Sequence, residues 1–420
     1  MFGRTERDVL VVGGGPVGLV TALALADRGI GVEIVDREQR PAAHSYALAL
    51  HARSLEVLDR LKLTAALFER GYRVRTVGFY DGADKRAEVQ LSQLATDFPF
   101  LLVIRQDILE TLLEQRLAQH GVKVHWNQRV SQLNVEPAAV VAAVDELGKV
   151  SLGYPIQTTE WVIERTRQVR AHYVVGADGH RSLVRRSLDL AFAEQARPQY
   201  FAVFEFQSDA PPGDEMRVVL DERSTNVLWP LPGGYRRWSF ELLDGDVPEE
   251  TRDKSRLSVS VGEELFPYLT REMLLRLIQE RAPWFHGSVG EIRWSIAVRF
   301  ERRLAEPLGR GRCWLAGDAA HLTGPVGVQS MNVGLREAAD LAAALAAALR
   351  HGGDAELETY NGRWTAEWRR LFSRADALRP TDRTDPWVKA RRERLLACLP
   401  GSGDDLAGMV QQLGLQFAGG

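Results

Sequence analysis

Cysteine is almost absent from this sequence: Cys313 and Cys398 are the only two in 420 residues. They lie far apart with no ligand spacing between them, which excludes a disulfide-built scaffold and gives no reason to expect a metal site. Long apolar runs are missing too. The longest helical one, Leu341 to Leu349, falls far short of the roughly 20 residues a membrane-spanning helix needs. MFGRTERD at the start lacks the apolar segment of a signal peptide. Neither sign of charge dominates: 53 Lys and Arg stand against 56 Asp and Glu, a formal net charge of −3, and no dense basic block offsets that balance. Nucleic acid and anionic membrane surfaces are therefore not expected partners. Internal repeats and low-complexity tracts are also absent. The expectation is a soluble cytoplasmic protein, long enough for two domains, with the 45% hydrophobic content of an ordinary globular chain.

What is present begins at Asp8. Asp8 to Val12 is a short apolar run of the kind found in buried parallel strands, and it leads directly into Gly13-x-Gly15-x-x-Gly18. The Leu- and Ala-rich stretch from Pro16 to Arg28 predicts a helix, with Gly29 placed as its C-terminal cap, and Val32 to Val35 predicts a second strand ending at Asp36. Each glycine has its own task in such a βαβ unit. Gly13 permits the tight turn, Gly15 lets backbone approach a pyrophosphate, and Gly18 lets helix and strand pack closely. The helix N-terminus offers unpaired N–H groups to the phosphates, and Asp36 is placed to accept hydrogen bonds from a ribose hydroxyl. The motif leaves open whether that ribose belongs to FAD or to NAD(P).

Further along, Ser54 to Phe68 and Gln106 to His120 have helical spacing. Val130 to Val135, Val140 to Val144 and Trp161 to Glu164 read as an inserted antiparallel meander before the chain returns to the parallel sheet at His172 to Gly176. From about Leu190 to Ile292, β-runs broken by turn signals predict a largely antiparallel second domain. Arg312 to Ala316 is another apolar strand, followed by Gly317-Asp318 and by an Ala-rich helix expected over Asn332 to Arg350.

Three glycine–acid junctions thus follow apolar strands: GGGPVG with Asp36, GADG at Gly176 and GDAAH at Gly317. Ligands of open α/β sheets bind at the carboxyl ends of the strands, so all three should meet at one crevice. Together with LHARSLEVLDRL at Leu50 to Leu61, IRQDILETLL at Ile104 to Leu113 and GDAAHLTGPVGVQSMN at Gly317 to Asn332, this set resembles the FAD-dependent aromatic hydroxylases. These are the single-component flavoprotein monooxygenases related to p-hydroxybenzoate hydroxylase, and the likeness covers roughly residues 8 to 375.

The resemblance implies an α/β fold: a FAD-binding Rossmann-like domain with a βαβ unit and parallel sheet (residues 1–72, 103–189 and 293–375), a largely antiparallel substrate domain (73–102 and 190–292), and a helical C-terminal appendage (376–420). It implies FAD as cofactor, with Gly13, Gly15, Pro16, Val17, Gly18, Asp36 and Arg37 at the ADP portion and Arg105 and Asp178 at further contacts. Gly317 and Asp318 would lie at the ribityl chain, and Pro325, Gly327, Met331 and Asn332 would border the ring. NADPH or NADH would act as transient reductant. The implied reaction inserts one oxygen atom of dioxygen into an aromatic or polycyclic compound through a flavin hydroperoxide. A flavin-dependent reductase or dehydrogenase on the same fold, and a turnover-deficient FAD-binding protein, are the alternatives. Trp229, Tyr235, Trp238 and Pro325 are candidates for the substrate wall; no residue is assigned as catalytic base, and His321 is given no chemistry. Tyr46 stands where family members commonly carry arginine, and Val328 and Ser330 replace glycines of the family's loop. Substrate identity, the choice of nicotinamide and the oligomeric state are not specified.

Overall fold

The computed structural model describes residues 5–39, 49–152, 158–211, 213–243, 269–372 and 377–418. Its first sheet runs in the order Gly309–Arg310, Cys313–Leu315, Thr158–Gly176, Thr5–Val12, Val32–Val35, Val124–His125. Apart from the short Gly309–Arg310 hairpin arm, these strands are parallel, with Val12 opposite Gly176 and Val35. Val9, Leu10 and Val11 are fully buried because helices cover the sheet. The helix Pro16–Ala26 starts with proline at its first turn, where the missing N–H costs no hydrogen bond, and nearly every one of its residues is buried. It is packed against both the sheet and the long helix Gln329–His351.

The meander differs from its expected form in one respect. Gln128–Val135, Val140–Leu152 and Thr158–Gly176 pair antiparallel, but the third strand is 19 residues long and continues without a break into the parallel sheet. Its polar middle, which reads as an interruption, is extended backbone whose side chains find cross-strand partners. Arg167 reaches Glu33 and Gln128, and Arg170 reaches Glu136.

The second sheet has eight strands in the order His321–Leu322, Ile292–Ala305, Phe192–Gln207, Tyr235–Leu242, Thr225–Pro230, Glu215–Leu220, Thr76–Asp81, Asp84–Gln90. Alternation divides its faces. Ala202, Phe204, Phe206, Trp238 and Phe240 share a separate core with Leu274 and Leu277 of the helix Arg271–Arg281, whereas Phe201, Val203, Val227, Trp229, Ile296 and Val298 join the main core. Ile292–Ala305 pairs along its length with Phe192–Gln207, so residues 293–305 belong by hydrogen bonding to this sheet and not to the nucleotide-binding one.

Ser54 to Phe68 is two helices, Ala52–Arg60 and Thr64–Arg70, because Lys62 adopts φ 65° between them. The Ala-rich helix starts three residues before the expected Asn332, at Gln329. The C-terminal stretch carries the helices Pro386–Cys398 and Gly403–Gln412 and a two-stranded ribbon, Leu378–Pro380 with Leu415–Phe417. It is built into the main core through Leu395, Leu406 and Met409, so it is no loose appendage. Polar clamps tie it to the second sheet: Trp387 donates to Asp81 at 2.9 Å and Arg394 to the Asp221 carbonyl at 2.7 Å.

Candidate functional site

The three junctions meet. A Cβ on Gly13 would lie 2.1 Å from the Ala177 carbonyl oxygen, and one on Gly18 would lie 1.9 Å from that of Gly13, so neither position admits a side chain. Val17 is wedged between the third junction and the long helix, 2.9 Å from a Cβ built on Gly317 and 2.8 Å from one on Gly334. Gly15 is different: a Cβ there meets nothing within 4 Å, which leaves open space in front of the turn and at the N-terminus of the first helix. That combination fits a pyrophosphate.

The carboxylates of the first two junctions are held by backbone. Asp36 accepts the Gly14 N–H at 2.5 Å and the Glu38 N–H at 2.7 Å; burial raises its pKa, and these amides work against that shift. Asp178 accepts the Leu183 and Val184 amides on one oxygen, at 2.6 and 3.3 Å, while its Oδ1 is buried and accepts no hydrogen bond among the described residues. Its pKa is likewise raised by burial. Asp318 is exposed and receives the Ser330 hydroxyl at 2.6 Å. His180 reports the convergence: the charges of Asp318, Arg181, Arg37 and Arg185 all reach it, although burial dominates and lowers its pKa. The GADG junction points to its aspartate, and the sequence motif does not single out the histidine directly after the turn.

Arg105 occupies the N-cap position of the helix Gln106–Gln119 without a side-chain capping bond and forms a two-pronged pair with Asp107 at 3.0 and 2.6 Å. Its charge also reaches Arg237 on the second sheet.

The loop after Asp318 is fixed from both sides. His51 meets the Gly327 carbonyl at 3.0 Å; burial depresses its pKa to about 3, so the ring is neutral and its Nε2–H donates. Asn332 accepts the His51 N–H at 2.7 Å and donates to the Ala49 and Val328 carbonyls, both at 2.8 Å. Asn332, expected beside the ring, is a buried clamp between the loop and the segment 49–54. A Cβ on Gly327 would lie 2.9 Å from the Leu399 carbonyl oxygen, so this glycine is needed for contact with the C-terminal segment. Met331 lies in the first turn of the long helix, packed against the main core. Val328 adopts φ 48°, ψ 36°, a left-handed conformation that suits glycine far better than a β-branched residue. Tyr46 lies outside the described residues.

Behind the loop, His321 and Glu337 are both fully buried and meet at 2.7 Å, with the imidazole stacked 3.8 Å from Trp368. Glu337 also accepts the Gly317 N–H and the Trp368 indole N–H. His321 is thereby a structural support for the Gly317 turn.

A cavity of about 270 Å³ opens beside Gly324, Pro325 and Val326, between the second sheet and the helix Pro386–Cys398. Of the four expected wall residues only Pro325 lines it. Trp229 is buried in the main core, Trp238 stacks on Phe240 at 4.9 Å in the separate core, and Tyr235 lies under the Arg293 guanidinium at 3.6 Å. Period-2 alternation places Trp238 on the opposite face of the sheet from Trp229, which strand patterning alone does not orient. Among the described residues no group of three or more His, Cys, Asp or Glu could hold a metal, and no helix is long and apolar enough to cross a membrane.

Comparison with known proteins agrees with this geometry. A family model described as FAD binding domain matches residues 6–375. The chain is 31% identical over 360 residues to 6-methylpretetramide 4-monooxygenase of Streptomyces rimosus, covering 84% of this chain and 58% of that protein. It is 30% identical to pentachlorophenol 4-monooxygenase of Sphingobium chlorophenolicum, covering 89% and 64%. The chain therefore spans about three fifths of the length of these relatives. The crystal structure of p-nitrophenol 4-monooxygenase from Pseudomonas putida DLL-E4 superposes with a TM-score of 0.73 over 98% of this chain and 97% of that one, at 23% identity. The chain belongs to the FAD-binding-domain family of flavoprotein aromatic hydroxylases, and its cofactor is FAD.

Proposed function

We propose that the protein is a FAD-dependent monooxygenase that hydroxylates an aromatic or polycyclic small molecule with NAD(P)H and dioxygen. The observation that carries this reading is the convergence of three strand-end junctions beside a cavity bordered by the loop that leaves Asp318. The chain's similarity to 6-methylpretetramide 4-monooxygenase and pentachlorophenol 4-monooxygenase supports it. When bound, FAD supplies electron transfer from the nicotinamide and activation of dioxygen.

The chain's own residues would do the remaining work. Gly13, Gly15, Pro16, Val17 and Gly18 form the turn and helix start that would receive the pyrophosphate, with Asp36 and Arg37 at the adenosine end. Asp178 and Asp318 would hold hydroxyls of the cofactor. Arg105 would be a further contact to the cofactor. Residues Pro325 to Asn332 carry backbone past the ring position, and the N-terminus of the helix Gln329–His351 directs its positive end towards negative charge arising there. His51 and Asn332 keep that loop in one conformation.

The test is turnover with isotopically labelled dioxygen, following substrate-stimulated NAD(P)H oxidation and product mass across a panel of phenols and aromatic acids. The expected result is one labelled oxygen atom per product molecule. A reductase or dehydrogenase would oxidise NAD(P)H without incorporating label, and a turnover-deficient binder would retain flavin without consuming either substrate; both results reject the reading.

A further inference from the structure

The three junction carboxylates are not held alike. Asp36 and Asp178 each accept two backbone amides, so the turns that carry them also orient them. Asp318 sits on the short turn Gly317–Ala319 and is exposed. Among the described residues its side chain has one hydrogen bond: the Ser330 hydroxyl donates to Oδ1 at 2.6 Å, and Oδ2 is left as the open acceptor. Without that bond nothing in the chain would fix the carboxylate, and an exposed aspartate then turns freely about its side-chain torsions.

Ser330 reaches Asp318 from the far end of the loop, 12 residues on, in the first turn of the helix Gln329–His351. It stands where the loop of the resembled family carries glycine, so the hydroxyl is a feature of this chain. Its place is determined by its neighbours. Gln329 donates to the Leu399 carbonyl at 3.2 Å, and Asn332 donates to the Ala49 and Val328 carbonyls at 2.8 Å, which fixes the helix start on both sides of Ser330. The hydroxyl therefore cannot follow a wandering carboxylate, and Asp318 is the partner that is held. The positive end of the helix favours a carboxylate in that position as well. A side chain ordered before its ligand arrives does not charge its ordering to the binding step.

We propose that Ser330 is a positioning residue for the cofactor: it holds Asp318 through Oδ1 and leaves Oδ2 to accept a ribityl hydroxyl of FAD. It supplies at the third junction what backbone amides supply at the first two. The same bond ties the start of the loop to the helix that ends it, so the carboxylate and the backbone from Pro325 to Val328 are set together. The inference rests on the reading that Asp318 meets the cofactor, and the experiment separates the two.

The experiment is a double-mutant cycle read by calorimetric titration of the apoprotein with FAD and, separately, with ADP, which lacks the ribityl chain. The proteins are the wild type, Ser330→Ala, Ser330→Thr, Asp318→Ala and the Ser330→Ala, Asp318→Ala double variant. Ser330→Ala is expected to weaken FAD binding by about 3- to 10-fold, the range for ordering one side chain, and to leave ADP binding unchanged. Ser330→Thr, which keeps the hydroxyl, should restore FAD affinity. In the Asp318→Ala background the Ser330→Ala change should have no further effect. FAD binding that is unchanged or tighter in Ser330→Ala overturns the inference, the tighter case because the hydroxyl would then compete with the cofactor for Asp318. So does an equal loss for ADP, a loss that Ser330→Thr does not restore, or the same loss with Asp318 already removed. Weaker FAD binding in Asp318→Ala alone keeps the reading of Asp318 and rejects the role of Ser330. Unchanged FAD binding in Asp318→Ala rejects both.

Discussion

The carboxyl ends of the parallel strands and the inner face of the antiparallel sheet both carry charge, but they hold it differently. At the strand ends, Asp36 and Asp178 are each fixed by two backbone amides close to them in the chain or in the adjoining turn. On the sheet face, charged side chains depend on one another across strands: Glu205 holds both Arg237 and Arg293, and Arg302 has no such partner. Charge held by backbone is oriented before any ligand arrives. Charge held by a side chain 32 or 88 residues away exists only once the sheet has its register.

The largest expected effect breaks the paired side of this contrast. Glu205→Ala strands two arginines, one of them 4% exposed, and should cost about 3 to 5 kcal/mol of stability, read from the urea unfolding midpoint. A loss below about 1 kcal/mol would mean that water already serves Arg237 and that paired and unpaired arginines on this face are equivalent.

Asp318→Ala addresses the strand-end side. Removing a carboxylate that would meet a cofactor hydroxyl should weaken FAD binding by about 1.5 to 3 kcal/mol, or roughly 10- to 100-fold, with little change in the unfolding midpoint of the apoprotein. Unchanged FAD affinity by fluorescence titration would remove Asp318 from the site.

His51 fixes the loop after Asp318 through the Gly327 carbonyl, and its titration gives a pH signature. Its folded pKa, about 3, lies below the unfolded value near 6.5. Below pH 6.5 the unfolded chain takes up a proton that the folded protein refuses. Stability is therefore undiminished above pH 6.5 and falls by about 1.4 kcal/mol per pH unit as pH drops towards 3. His51→Gln, which retains a donor, should flatten this part of the acid limb; an identical slope in both proteins would show that His51 charges freely in the native state.

The smallest effect is local. Val328→Gly relieves a left-handed conformation worth roughly 1 to 2 kcal/mol but adds about 0.5 to 1 kcal/mol of chain entropy, so a net gain of no more than about 1.5 kcal/mol is expected in thermal or urea unfolding. A clear loss would show that the Val328 side chain's packing against the main core outweighs its backbone strain.

The nucleotide-binding half was legible because its information is local. A strand, a glycine turn, a helix and an acid follow one another within about 30 residues; Gly13 and Gly18 are required by approach distances that any side chain would violate, and Gly15 leaves the space in front of the turn open. The same locality explains why the GADG and GDAAH junctions could be placed at strand ends. The substrate half was legible only as alternating strands. Trp229 and Trp238 both read as aromatic wall residues, yet they are on opposite faces, and neither lines the cavity.

By itself the sequence determined the βαβ unit, the strand-end junctions and the two-sheet architecture, since each rests on periodicity or on glycine geometry within one short segment. Only the tertiary structure decided that Asn332 clamps the segment 49–54, that the C-terminal helix walls the cavity, and that Arg302 faces it unpaired. The physical reason is register. A cross-strand pair or a helix docked from 70 residues away is set by how whole elements meet, and no local pattern encodes which side chains that meeting leaves without a partner.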